Sequence, residues 1–130
     1  MSMIVDTSVI ISVITNEKNK ARLVTLTEGE YLIAPSSIRW EVGNAFSAMF
    51  KRKKVDLILA EKAIEYYNMI PLKLVDVDIY NSLEIAYQYN IYAYDAYFLE
   101  CAIQYNAPLL AIDNKLKEIA KQINISIVEV

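Results

Sequence analysis

Apolar residues along this chain keep two alternating rhythms. Short β-branched or apolar runs at Met3–Val5, Tyr31–Ala34, Leu74–Val77, Leu109–Ile112 and Ile125–Val128 read as strands. The stretches between them carry helical spacing. From Ile38 to Phe50, apolar residues at Val42, Ala45, Phe46, Met49 and Phe50 follow the i, i+3, i+4, i+7 pattern of one buried helix face. Leu57–Met69, Ile79–Tyr89, Asp95–Tyr105 and Leu116–Ile123 read likewise. The turn residues agree with this division. Pro35-Ser36-Ser37 supplies a turn and an N-cap before a helix, Pro71 closes the helix ending near Met69, and Pro108 opens a strand. Strands alternating with helices predict an α/β fold of three layers, α/β/α, with a mainly parallel central sheet of about five strands.

Two of these strands run straight toward an aspartate: Met3-Ile4-Val5-Asp6 and Leu109-Leu110-Ala111-Ile112-Asp113. An unpaired carboxylate in apolar surroundings is costly, and open α/β sheets bind ligands just beyond the carboxyl ends of their strands. Two such aspartates therefore suggest one acidic site assembled from distant segments. Each also has a plain structural reading as a helix N-cap, since Thr7-Ser8 and Asn114-Lys115 follow them. Asp95 enters an almost wholly apolar helix, where the helix dipole alone favours an acid in the first turn. Glu41 follows Trp40, with Asn44 one turn later on the same side. It is either a solvated surface glutamate or a side chain reaching inward from the margin of the apolar stripe. Glu100 shares the segment of Asp95, but the five-residue spacing turns it to another face.

Composition narrows the chemistry. A chain of 130 residues with 55% hydrophobic and 22% charged residues is sized for one folded domain, 1–130, and is not disordered. No apolar run approaches a membrane span. The start of the chain shows no basic flank or cleavage pattern, and the one cysteine, Cys101, gives no disulfide framework, so a cytoplasmic protein is expected. The net charge is −3. Setting four site carboxylates aside leaves twelve of sixteen acids against thirteen basic residues, which neither supports nor forbids an RNA partner. The chain has no histidine, so no imidazole can serve as base or ligand. Clustered carboxylates repel one another, and a hard divalent cation relieves that repulsion. Oxygen donors point to Mg²⁺ or Mn²⁺ rather than zinc.

Together these segments resemble the PIN-domain ribonucleases, specifically the VapC-like toxins of type II toxin–antitoxin pairs. Ile4-Val5-Asp6-Thr7-Ser8-Val9 is similar to the family's first strand and its aspartate. Trp40-Glu41-Val42-Gly43-Asn44-Ala45 resembles the second motif, Tyr94-Asp95-Ala96-Tyr97-Phe98-Leu99 the third, and Ala111-Ile112-Asp113-Asn114-Lys115-Leu116 the fourth. The resemblance covers essentially the whole chain. It implies metal-dependent hydrolysis of phosphodiester bonds in single-stranded RNA. Asp6, Asp95 and Asp113 would be metal ligands, and Glu41 would ligate the metal or orient the attacking water. It also implies a VapB-like antitoxin and a homodimer.

Thr7, Ser8, Asn44 and Lys115 are the candidate substrate contacts. Lys51-Arg52-Lys53-Lys54 reads first as favourable charge at a helix C-terminus and second as a phosphate-binding run. Tyr87, Tyr89, Tyr92, Tyr94, Tyr97 and Tyr105 crowd around Asp95, and core or dimer contacts are expected of them ahead of base stacking. Three other readings compete. A PIN-domain housekeeping RNA-processing nuclease would lack a neighbouring antitoxin gene. A non-catalytic PIN-fold binding module would have lost an acid. A phosphatase of the haloacid dehalogenase type wants a second aspartate two residues after the first, where Ser8 stands.

Overall fold

Parallel strands need helical crossovers, and the chain supplies one after every strand but the last. The computed structural model describes residues 1–130. In chain order the elements are β1 (Ser2–Val5), α1 (Thr7–Ile14), α2 (Lys20–Thr27), β2 (Tyr31–Pro35), α3 (Ile38–Lys51) and α4 (Leu57–Met69). They continue with β3 (Leu72–Val75), α5 (Ile79–Tyr89), α6 (Ala93–Tyr105), β4 (Leu109–Leu110), α7 (Asn114–Gln122) and β5 (Ile127–Val128). The five strands form one sheet in the order β3-β2-β1-β4-β5, with every pairing parallel. The three-layer α/β/α expectation holds. Helices α1, α3 and α4 pack together on one side, while α6 lies across β1, β2 and β4 with α5 behind it. No helix is long and apolar enough to cross a membrane.

The core follows from the rhythm of the sequence. Ile4, Val5, Leu109 and Leu110 in the two central strands are fully buried, as are Phe98, Leu99, Cys101 and Ala102 of α6. Both faces of these strands are covered, so they are continuous apolar runs rather than alternating ones.

Element edges differ from the sequence expectation where polar groups divert the backbone. The third strand starts right after Pro71 and ends at Val75, two residues earlier than expected, because Asp78 leaves the sheet to cap α5, accepting from Asn81 N at 2.8 Å. The fourth strand stops at Leu110. Its continuation turns away, and the Ile112 N–H donates to Ser8 Oγ at 3.4 Å, so Asp113 follows a short connection rather than the strand itself. The fifth strand is confined to Ile127–Val128. The first crossover is two helices, broken at Asn16, which takes a left-handed φ of 59°. Most of the tyrosines around Asp95 are not core residues: Tyr87, Tyr92, Tyr94 and Tyr105 are exposed and Tyr97 is partly covered, while Tyr89 alone packs against the core. Their hydroxyls keep them at the surface of a helix pair whose buried face is already filled by smaller apolar residues.

With only two residues in β4, burial of Leu110 carries much of the contact between the halves of the sheet. Leu110→Ala is expected to cost roughly 3 kcal/mol by the transfer and cavity terms, read as a lowered urea midpoint at unchanged slope. Ile58→Ala, at a position 75% exposed, should shift stability by less than about 0.5 kcal/mol.

Candidate active site

The strand order reverses direction at β1, whose two neighbours are β2 and β4. A crevice opens at such a point at the carboxyl edge of the sheet. Four segments bring an acid there. Asp6 ends β1, Asp113 follows β4, Glu41 stands in the first turn of α3, and Asp95 in the first turn of α6.

Capping and clustering turn out to be compatible roles. Asp6 is the N-cap of α1: its Oδ1 accepts from Val9 N at 3.2 Å and from Ser8 Oγ at 2.7 Å. Both bonds fall on Oδ1, which leaves Oδ2 without a protein donor. Asp113 caps α7 in the same way, its Oδ1 accepting from Lys115 N at 3.0 Å. Glu41 reaches inward. Thr7 Oγ1 donates to its Oε1 at 3.1 Å and Ser37 Oγ to its Oε2 at 3.4 Å. Ser37, expected as an N-cap, makes no capping bond because its hydroxyl serves Glu41 instead.

Burial sets the charge state of Asp6, Glu41 and Asp95, whereas Asp113 stands exposed. Asp6 is only 6% exposed, and loss of hydration pushes its pKa up to about 6 against the lowering effect of Ser8 and Val9, with Asp113 and Asp95 adding repulsion. Glu41 is pushed up to about 7, again chiefly by burial, with Asp95 and Asp6 contributing. Asp95 is raised by burial and by Asp113, while Lys115 opposes the shift. Asp6, Glu41 and Asp95 therefore each sense another acid, and Asp95 also senses Lys115. None is in a salt bridge, since the only ion pairs join the N-terminus to Glu30 and Lys121 to Glu129.

All the acids' donor atoms are carboxylate oxygens, the set a hard divalent cation prefers, and no side-chain cation pairs with them. The residues thus fit such an ion in chemistry and in charge, although no three of them converge closely enough to hold one as they stand. The cleft beside them, about 510 Å³, is lined by Thr7, Trp40, Glu41, Asn44, Ala45 and Tyr94. Thr7 and Ser8, the candidate substrate contacts, spend their hydroxyls on the acids; Asn44 and Lys115 are exposed beside them. Ser37, Trp40 and Tyr94 escaped the sequence reading as site residues. Ser37 and Trp40 had a signal available, since residues at i−4 and i−1 of an inward-facing helical glutamate share its surroundings. Glu100, as its spacing implied, lies elsewhere, buried on α6 and accepting from Asn81 Nδ2 at 3.2 Å.

The pH dependence has a definite sign. Asp6 and Glu41 hold their protons more tightly folded than unfolded, where their ordinary values are 3.8 and 4.5. As pH rises from about 4 to about 7, the unfolded chain ionises first, so the metal-free fold loses stability across that window, by about 1.4 kcal/mol per unit of pKa difference. Asparagine caps a helix as well as aspartate. In EDTA at pH 8, Asp6→Asn should therefore stabilise the protein by on the order of 2 kcal/mol and flatten the slope between about pH 4 and pH 6 in urea melts. An unchanged slope would contradict the burial assigned to Asp6.

The family model described as PIN domain matches residues 3–122. No curated protein matches the chain. Among solved structures, PAE2754 from Pyrobaculum aerophilum superposes with a TM-score of 0.71 at 18% identity, over 92% of this chain and 79% of its own. VapBC2 from Rickettsia felis, bound to a DNA fragment from their promoter, contains a chain that superposes with a TM-score of 0.69 at 16% identity, over 98% of both. At these identities the structural matches speak for the fold, and the family match speaks for descent: the chain belongs to the PIN domain family.

Proposed function

We propose that this chain is a single-domain, metal-dependent endoribonuclease acting on single-stranded RNA in the cytoplasm, and the toxin of a VapBC-like pair. One observation carries the nuclease reading: Asp6, Glu41, Asp95 and Asp113, from four separated segments, come to the sheet edge where α/β folds bind ligands, and none of them is in an ion pair. Membership of the PIN family supports it.

In this reading Asp6, Asp95 and Asp113 hold Mg²⁺ or Mn²⁺ with their free oxygens. The ion, when bound, offsets their mutual repulsion and supplies Lewis acidity to a phosphoryl oxygen and to water. The chain's own residues do the positioning. Ser8 and Val9 fix Asp6 through Oδ1, so that Oδ2 points to one place. Thr7 and Ser37 fix Glu41, whose raised pKa of about 7 suits it to orient the attacking water and take up its proton. Lys115 offers its ammonium to a substrate phosphate, and Asn44 its amide to the strand.

Purified protein with Mg²⁺ should cleave single-stranded RNA internally. Asp95→Asn should lower the rate at least roughly a hundredfold, the scale of losing one preorganised electrostatic group, with unchanged circular dichroism. EDTA should stop the reaction and Mn²⁺ restore it. Full activity in Asp95→Asn or in EDTA would overturn the assignment.

The likeness to a chain of VapBC2 supports a VapB-like antitoxin as partner. A homodimer is supported by the outward stripe of α5, where Ile79, Tyr80, Leu83 and Tyr87 are 52–91% exposed and recur at helical spacing. Leu83→Glu should convert a dimer into a monomer in sedimentation experiments; a wild type that sediments as a monomer at all concentrations would exclude it.

A further inference from the structure

The cleft beside Glu41 has a composition at odds with phosphate binding. Its walls are two aromatic rings, an amide, a methyl group, a hydroxyl and the Glu41 carboxylate, and no basic side chain lines it. A phosphate there would meet an anion, whereas a neutral planar ring would meet aromatic faces. Both rings are held from one side and open on the other. Trp40 is 67% exposed, with the Arg39 guanidinium 5.2 Å from its ring centre. Tyr94 is 51% exposed and packs edge-on against Tyr97, the ring centres 5.9 Å apart at 87°. Such anchoring fixes the rings before any ligand arrives, which lowers the ordering cost of binding. Asn44 lies one turn from Trp40 on the same face of α3; Ser47 Oγ donates to its backbone carbonyl at 2.8 Å and lies 3.5 Å from its Oδ1, and the amide N–H groups are left for a partner. The volume, about 510 Å³, is that of a small-ligand site.

We propose that this cleft is a nucleobase pocket. One unpaired base, adjacent to the phosphate attacked at the acids, stacks on Trp40 and Tyr94 while its edge accepts from Asn44. The inference rests on the nuclease reading for the identity of the strand, and on the cleft alone for the stacking. It makes the pocket a specificity element: because the phosphate and the base are held by different walls, a base locked inside a duplex cannot enter while its phosphate lies at the acids.

Trp40 is the only tryptophan in the chain, so its fluorescence reports on this cleft alone. Titrating the whole protein, without metal, with AMP should quench that fluorescence to saturation, and ribose 5-phosphate should not. Against single-stranded RNA, Trp40→Ala should raise KM roughly tenfold, within the range of a lost base–aromatic stack, with kcat within about twofold, and Trp40→Phe should recover most of the loss. Equal quenching by both compounds, no quenching by AMP, or an unchanged KM in Trp40→Ala overturns the pocket even if Asp95→Asn is inactive. Saturable quenching by AMP alone, in a protein that cleaves no RNA, supports the pocket while removing the nuclease reading.

Discussion

Everything at the carboxyl edge of the sheet depends on burying the Asp6 carboxylate at the end of a central strand. Left alone, an anion with 6% exposure would be expelled or protonated. It is kept by the start of α1, which presents the Val9 N–H and the Ser8 hydroxyl to one of its oxygens. The residues that hold it also tie the site together. Thr7 reaches across to Glu41 on α3, and Ser8 accepts the Ile112 N–H from the connection after β4. Two consecutive residues, Thr7 and Ser8, thus bind the end of a central strand to the segments that carry Glu41 and Asp113. The strand cannot shift in register without breaking both contacts.

For Asp6 and Asp113 a cap does not exclude a second role, as counting oxygens shows. A carboxylate has two, and a cap bond uses one. Asp6 and Asp113 each accept their capping N–H through Oδ1. Helices α1, α6 and α7 all begin at this edge, so their N-terminal dipoles favour the negative charge that the acids put there. Burial raises the cost of charging Asp6 most, the bonds at the cap lower it, and the other acids raise it a little further. For Asp6 the balance rests near 6, close enough to neutrality for small electrostatic changes to decide its charge.

The sequence revealed the fold through its periodicity because the central strands are apolar on both faces and the helices on one. It revealed Asp6 because a charge at the end of such a strand contradicts its surroundings, an argument that does not extend to Asp113, exposed beyond the end of β4. Boundaries were harder: Leu109–Ile112 looks like one apolar strand, yet a single hydrogen bond from Ile112 to Ser8, between residues 104 positions apart, ends it after Leu110. The role of Ser37 was hidden for the same reason, since nothing local distinguishes a capping serine from one that donates to Glu41. Trp40 and the tyrosines near Asp95 were ambiguous in kind, because aromatic residues at helical spacing fit a core as well as a surface. Only the exposure of each ring separates the two.

The net charge of −3 is likewise a poor guide to what can approach this protein. At physiological ionic strength charges are screened beyond about 8 Å, so a polyanion responds to local patches rather than to the sum. Asp6, Glu41 and Asp95 are wholly or partly buried, whereas Asp113 and Lys115 are exposed; Lys51, Arg52, Lys53 and Lys54 stand at the far end of α3, at least about 15 Å of helix from Glu41. A strand approaching the cleft therefore meets Lys115 beside Asp113 and uncharged aromatic rings first, and the three withdrawn acids last. Filling the acid cluster with a divalent cation would remove the remaining local repulsion. Under the proposed function, the acidic pI is then the consequence of building a cation site from carboxylates alone, in a chain without histidine, and it does not weigh against an RNA substrate.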